Sequence, residues 1–393
     1  MSLKIHHLAE TKMKKRKIPC IIIALALTVL VCSFLERPVN NMVNVKQILT
    51  NEIESDKSPS VQYYLFDKDS IIESFQHGFA DITKQKYTNI DTTYHAFSVT
   101  KTFTALAIMQ LAEHGKIDLD QAIINYLQDF PYGAEITVKQ ILNHTAGIPN
   151  PIPLAWIHLD SEQKTFDRNV SFRPIFEKNS KTKSKPGEKF AYSNLGYIIL
   201  GQLIEKLSGK TYEEYIFEHI IQKLPVEPND LAFTISDNGA HATGYHKNLS
   251  LSNLVLSFFV KKSEFMKKTE GKWRPFKYFY VNGASYGGLI GKPAAFVKYI
   301  QELLKDDSAL ISNEYKQFLF QENKNTGMCL SWFTGEISGE KYFTHAGGGG
   351  GYYCEIRIYP GIKVGSVVFF NRTGMWDERY LDRLDKIYIN SSR

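Results

Sequence analysis

Ser98-Val99-Thr100-Lys101 puts a hydroxyl and an amine three residues apart, a spacing that shares one face of a helix. A serine hydroxyl becomes a competent nucleophile when a neighbouring base takes its proton. A lysine amine can be that base where burial or positive neighbours lower its pKa. Phe103, Leu106, Ala107 and Leu111 follow at spacings of three and four, so Ser98 stands at the start of a helix. The N-terminal end of a helix favours developing negative charge. The same pattern recurs at Ser180-Lys181-Thr182-Lys183, inside the Lys/Ser-rich stretch 178–189. No amphipathic helix follows that copy, and it reads as chance on a solvated loop.

Two further elements make the first copy more specific. Tyr192-Ser193-Asn194 follows Pro186-Gly187-Glu188 and precedes a second apolar helical run, Tyr197–Leu207. His345-Ala346-Gly347 ends a strand-like run and opens five consecutive glycines, Gly347 to Gly351. Glycine suits a strand edge along which a substrate backbone must come close, although a flexible hairpin would use the same residues. A phosphate-binding loop does not fit, because no Lys-Ser/Thr and helix follow the glycines.

These three elements, in this order, resemble the serine penicillin-recognising family: class C β-lactamases, D-Ala-D-Ala carboxypeptidases, D-aminopeptidases and related esterases. Two flanking segments, Ile141–Pro149 and Tyr286-Gly287-Gly288-Leu289, look like that family too, and the likeness covers roughly residues 58–390. The resemblance implies an acyl-enzyme mechanism with Ser98 as nucleophile and Lys101 keeping it activated. It implies that Tyr192 shuttles the proton to the leaving group. Asn194 would hydrogen-bond Lys101 and a substrate amide. His345 would line the cleft with Gly347 and Gly348, where a Lys-Thr-Gly element otherwise stands. Backbone N–H groups of Ser98 and Gly348 would form the oxyanion hole, each such donor contributing ~3 kcal/mol to transition-state stabilisation. Histidine at 345 is the departure from class C β-lactamases and is more like the carboxypeptidase, D-aminopeptidase and esterase branches. A mostly neutral imidazole holds a substrate carboxylate less strongly than an ammonium does. The expected activity is therefore hydrolysis of an ester or of an amide next to a D-residue. A β-lactamase and a non-catalytic penicillin-binding sensor are the alternatives.

Elements that could position these residues are legible on either side of them. Val61–Phe66 and Ile71–Gly78 read as strands joined at Asp67-Lys68-Asp69, and Tyr342–Thr344, Tyr352–Tyr359 and Val364–Asn371 read as strands near the C-terminus. Between them lie helical runs over 103–111, 136–142, 197–207 and 289–304, the first ending at Gly115. Asp377 opens a last amphipathic helix with Tyr380, Leu381, Leu384, Ile387 and Tyr388 on one face. The expected fold is α+β: an antiparallel sheet from about 58–90 and 326–393, with a mainly helical region of about 98–305 inserted into it.

The chain has 393 residues, 43% hydrophobic and 22% charged, and a formal net charge of +6. That composition excludes disordered, collagenous and disulfide-scaffold proteins. Residues 1–34 hold six basic residues against Glu10 alone, which leaves 41 basic and 40 acidic residues in the rest. The body is nearly neutral, so no nucleic-acid partner is expected. Residues 1–17 form a basic region in which Lys14-Lys15-Arg16-Lys17 precedes the uncharged run Ile18–Phe34. This is the layout of a signal peptide or a membrane anchor, and it implies export to the cell envelope. Val31-Cys32-Ser33 offers a cleavage point, and Met13 a start that gives a compact basic region. Residues 35–57 are polar and aperiodic and read as a linker. Cys329 and Cys354 could pair in an oxidising compartment or remain buried thiols. No cofactor or metal is expected: His241 and His246 stand five apart without a third ligand. The expected partner is a small-molecule or peptidoglycan-like substrate. Aromatic residues crowd 258–280, from Phe258 and Phe259 through Trp273 and Phe276 to Tyr280. Core packing explains most of them, and a cap over the cleft that favours an apolar acyl group is the functional alternative.

Overall fold

The computed structural model describes residues 44–152, 156–248, 262–373 and 379–391. The expected export segment, Cys20, Cys32, residues 35–43 of the expected linker, Phe258, Phe259 and Asp377 lie outside these. The main sheet has seven strands: β1 (Ser60–Asp67), β2 (Ile71–Asp81), β3 (Lys86–Tyr87), β4 (Phe333–Ile337), β5 (Glu340–Gly349), β6 (Tyr352–Tyr359) and β7 (Val364–Phe370). Their spatial order is β4-β5-β6-β7-β1-β2-β3, and every neighbouring pair is antiparallel. The two ends of the chain meet at β1 and β7, where Val61 lies opposite Phe370 and Asp67 opposite Val364. Asp67 also makes the first hairpin: its Oδ1 accepts the N–H groups of Asp69 and Ser70 at 2.8 and 2.7 Å.

The central strands are apolar on both faces because both faces are covered. Val61, Tyr63 and Leu65 of β1 join Val368 and Phe370 of β7 on one side. Tyr64 and Phe66 join Val367, Phe369 and Ile356 on the other. Helices α1 (Val45–Glu54) and α5 (Leu381–Ser391) cover the first side through Val45, Leu49, Leu381 and Leu384. Residues 45–54 were expected to be tether. They form a helix because Val45, Ile48, Leu49 and Ile53, spaced three and four apart, make one apolar face that packs against the sheet, a periodicity the reading of this stretch as aperiodic missed. Arg357 lies fully buried beneath α5 among Glu355, Asp382 and Asp385, with its guanidinium 3.9 Å from the Tyr342 ring.

On the other side pack α2 (Thr100–Glu113), α3 (Asn194–Ser208) and α4 (Pro293–Leu304). The spacing of α2 suggested one apolar stripe, yet every residue from Thr100 to Ala112 is buried, Lys101 included. It is a central helix, walled on all sides. It ends as expected at Gly115, whose φ of +67° allows the chain to turn out. The α+β arrangement, with one antiparallel sheet from both chain ends and helices between, is the expected one. Cys329 and Cys354 are both buried free thiols, donating to the carbonyls of Phe320 and Ala96.

Candidate active site

The serine stands on a turn that the surrounding chain holds out of its ordinary geometry. Residues Phe97–Val99 form a 3₁₀ turn leading into α2, and Phe97 has a φ of +44°, a conformation costly for a side chain of that size. The segment Ser285–Leu289 ties this turn from below. Ala96 N–H donates to Leu289 O at 2.9 Å, Leu289 N–H to Thr100 Oγ1 at 3.1 Å, and Thr104 Oγ1 to Ser285 O at 2.6 Å. Beside the turn runs the glycine-rich end of β5. A Cβ on Gly347 would stand 2.1 Å from Ala96 O, and one on Gly349 would stand 2.9 Å from the Phe97 ring. Gly348, between them, is therefore held beside the turn that carries Ser98. The run ends in Gly349, Gly350 and Gly351 at φ of +153°, +46° and +97°, a turn that side chains would resist.

Two functional groups meet at the serine hydroxyl. Lys101 Nζ lies 3.1 Å from Ser98 Oγ and donates to Tyr286 O at 2.8 Å, and Tyr192 O–H donates to Ser98 Oγ at 2.9 Å. Lys101 has no exposed surface, and burial holds its pKa well below the ordinary lysine value. The rings of Tyr192, Tyr286 and Tyr197, 4.9, 5.3 and 5.5 Å from Nζ, oppose that by favouring the ammonium. Ring attraction amounts to about 0.5–2 kcal/mol, whereas desolvating an ion costs several kcal/mol, so burial wins. Among the described residues no carboxylate pairs with Lys101. A neutral amine keeps a lone pair for the serine proton while its own N–H serves the Tyr286 carbonyl.

His345 is also buried, and its pKa is pushed down to about 3, by burial first and the nearby Lys101 second. Its Nδ1 faces the carbonyl of Ser331, which can only accept, so Nδ1 carries the proton and Nε2 the lone pair. Asn194 differs from expectation. Its side-chain N–H and its backbone N–H both donate to Asn150 Oδ1, at 3.1 and 3.0 Å, rather than reaching Lys101. Lys101 is satisfied instead by a main-chain carbonyl. The Asn194 Oδ1 is left buried and unpartnered, an acceptor available at the head of α3. That helix begins at Asn194, not Tyr197, because Ser193 caps it by accepting the Gly196 N–H.

Residue by residue, the structure thus brings Ser98, Lys101, Tyr192, Gly347 and Gly348 together, with Asn194 and His345 beside them. It adds Tyr286 O, from a segment singled out only for its resemblance, and Asn150, which carried no motif. The other candidates lie elsewhere. His241 is held by Thr93 Oγ1 and Tyr352 O–H, and His246 contacts Thr373 Oγ1. No cluster of three or more potential metal ligands occurs among the described residues. Trp273 and Phe276 are buried in packing, Trp273 against Tyr245. Phe279, from the same stretch, does stand near the nucleophile turn, stacked on His95 at 4.6 Å and 6.3 Å from the Phe97 ring.

A beta-lactamase family model matches residues 45–388. The chain belongs to the beta-lactamase family. This superfamily includes serine hydrolases, and it takes in penicillin-binding proteins. Protein flp of Staphylococcus aureus strain MW2 is 23% identical over 89% of this chain and 67% of its own length. Penicillin-binding protein 4* of Bacillus subtilis strain 168 is 25% identical over 72% and 61%. The chain thus spans about two thirds of these relatives. Among solved structures, the octameric penicillin-binding protein homologue of Pyrococcus abyssi superposes with a TM-score of 0.70 at 23% identity, covering 88% of this chain and 76% of the other. The D-amino acid amidase of Ochrobactrum anthropi SV3 gives 0.72 at 18% identity, covering 88% and 98%. These superpositions establish the beta-lactamase fold.

Proposed function

We propose that this family member is an exported serine hydrolase acting through an acyl-enzyme on an ester, or on an amide next to a D-residue. The observation that carries this reading is the triangle of Ser98 Oγ with a buried lysine amine at 3.1 Å and a tyrosine hydroxyl at 2.9 Å. The Lys101 amine takes the Ser98 proton as Oγ bonds to the substrate carbonyl carbon. The carbonyl oxygen becomes an oxyanion, stabilised by the N–H groups of Ser98 and Gly348. The C–O or C–N bond then breaks, the leaving group taking a proton through the Tyr192 hydroxyl. Water, deprotonated by the same pair, attacks the acyl carbon and restores the Ser98 hydroxyl. In this reading Asn194 Oδ1, buried and unpartnered, would accept a substrate amide N–H.

His345 favours an ester or amide over a β-lactam. Its Nε2 offers a lone pair, whereas a β-lactam carboxylate needs a donor. The D-amino acid amidase likeness supports an amide next to a D-residue as the second substrate class. Export rests on the basic and apolar N-terminal segments, and a peptidoglycan-like substrate is the partner an envelope location would supply. No helix among the described residues is long and apolar enough to cross a membrane.

The test is hydrolysis of p-nitrophenyl esters and D-amino-acid amides beside labelling with a fluorescent penicillin. Ester or D-amide turnover that vanishes in Ser98→Ala is the expected result. Rapid turnover of penicillin would establish a β-lactamase instead. A long-lived penicillin adduct with no hydrolysis of any substrate would establish a sensor.

A further inference from the structure

We propose that His144 is a positioning residue for Tyr192, holding the chain on both sides of that tyrosine so that its hydroxyl stays on the nucleophile. The inference rests on the acyl-enzyme reading above. His144 O accepts the N–H of Ala191 at 2.7 Å, and His144 Nδ1 accepts the N–H of Ser193 at 3.2 Å. One residue therefore grips the neighbours of Tyr192 before and after it. The imidazole also lies 4.3 Å from the Tyr192 ring and 5.0 Å from the Tyr197 ring, so it occupies the space into which Tyr192 could swing.

His144 is itself fixed. It follows the short helix Val138–Leu142, its N–H donates to Ile141 O, and it is 2% exposed. Its φ is +57°, a left-handed conformation uncommon for a residue with a side chain. Leu142 O, two residues before it, receives the Tyr197 hydroxyl at 2.7 Å. On the far side Ser193 Oγ donates to Pro149 O and caps α3. The grip thus joins the turn after Leu142 to the head of the helix that starts at Asn194.

The chemistry of the ring supports a dedicated acceptor. A main-chain N–H can only donate, so Nδ1 must be bare and Nε2 must carry the proton. That Nε2 is buried without a partner, which costs stability and which an apolar residue would avoid. The ring is retained, on this view, for what Nδ1 does. Burial holds the ring neutral, so the acceptor is present throughout the working pH range.

A tyrosine hydroxyl sits far from its own Cα, so a small swing of residues 191–193 moves it off Ser98 Oγ. Misplacement of a reacting group by about 1 Å can cost about 10²-fold in rate. The experiment measures acylation of the full chain by a fluorescent penicillin and by a p-nitrophenyl ester, under single-turnover conditions, in wild type, His144→Gly, His144→Asn and Tyr192→Phe, and in the double variant His144→Gly/Tyr192→Phe. Glycine accepts the left-handed φ and keeps the backbone carbonyl, so it removes the ring alone. Asparagine also tolerates that φ and returns an oxygen near the place of Nδ1. His144→Gly is expected to slow acylation about 10–100-fold with the half-saturating substrate concentration within about threefold of wild type. His144→Asn is expected to recover most of the rate. In the Tyr192→Phe background, His144→Gly is expected to add less than about twofold, because its route to the chemistry is already gone. An equal loss in both backgrounds, or no loss from His144→Gly, would overturn the proposal. Ser98→Ala separates the two levels: acylation that survives it sinks the acyl-enzyme reading, whereas a silent Ser98→Ala with a fully active His144→Gly sinks only the role of His144.

Discussion

A lysine with no exposed surface and no carboxylate partner is held against its preference for charge, and stability should show it. Lys101 has its pKa depressed by folding, so the unfolded chain binds more protons between the depressed value and the ordinary one near 10.5. Wild-type stability should therefore rise with pH across that window. Lys101→Met is expected to be inactive yet more stable at pH 7, on the order of 1 kcal/mol or more by thermal melts. The gap to wild type should narrow towards pH 10, and a constant gap would contradict the neutral amine. His345, with a pKa of about 3, is already neutral above pH 5, so it cannot set an acid limb in the working range. The acid limb of kcat/KM is expected to persist in His345→Gln, and its disappearance would reassign it. Ser98, Lys101 and Tyr192 were legible from residue type and order, because side-chain chemistry leaves a mark in sequence. Tyr286 was noticed only for its Gly-Gly-Leu neighbours. Its role at Lys101 is played by a main-chain carbonyl, which every residue has. Asn194 was placed on Lys101 by resemblance, but Asn150 captures its amide N–H across 44 residues, a contact no local pattern carries.

At the scale of elements, the glycine-rich end of β5 and the Phe97–Val99 turn act as one unit. Gly347→Ala would drive a Cβ to 2.1 Å from a backbone oxygen beside the nucleophile. It is expected to lower kcat at least about tenfold through displacement of the turn. Gly361→Ala meets only a Glu340 carboxylate at 3.4 Å and should leave kcat unchanged. Equal effects in steady-state assays of the two would refute the coupling. The buried Arg357 cluster holds α5 to the sheet. Arg357→Ala leaves Glu355 and Asp385 uncompensated in the interior, and should cost about 3–5 kcal/mol by urea unfolding. The strands were readable because alternation has period two and the two sheet faces bury different sets. α2 read as amphipathic because threonines and alanines diluted its pattern, while packing on all sides is what buries them. α1 escaped notice because its four apolar residues, Val45, Ile48, Leu49 and Ile53, are outnumbered by polar ones, although their spacing of three and four is that of a helix face.

Across the whole molecule, the +6 charge divides into a basic N-terminal segment and a nearly neutral body. The body is built on a seven-stranded sheet in which β1 and β7 join its two parts, and the site lies where the helical insertion meets the glycine-rich end of β5, which runs past its pairing with β4. Cys329 and Cys354 are separate buried thiols, so reductant is expected to leave the melting temperature of the body unchanged. The chemistry of the site rests on the folded body alone, and the proposal of export from the N-terminal segment stands apart from it. The most direct measurement is peptide-resolved mass spectrometry of the full chain after brief exposure to an activated ester at low pH, where deacylation is slow. Ser98 should carry the acyl mass, and Ser98→Ala should carry none and hydrolyse nothing. An acyl group found elsewhere, or full turnover by Ser98→Ala, would contradict the central claim.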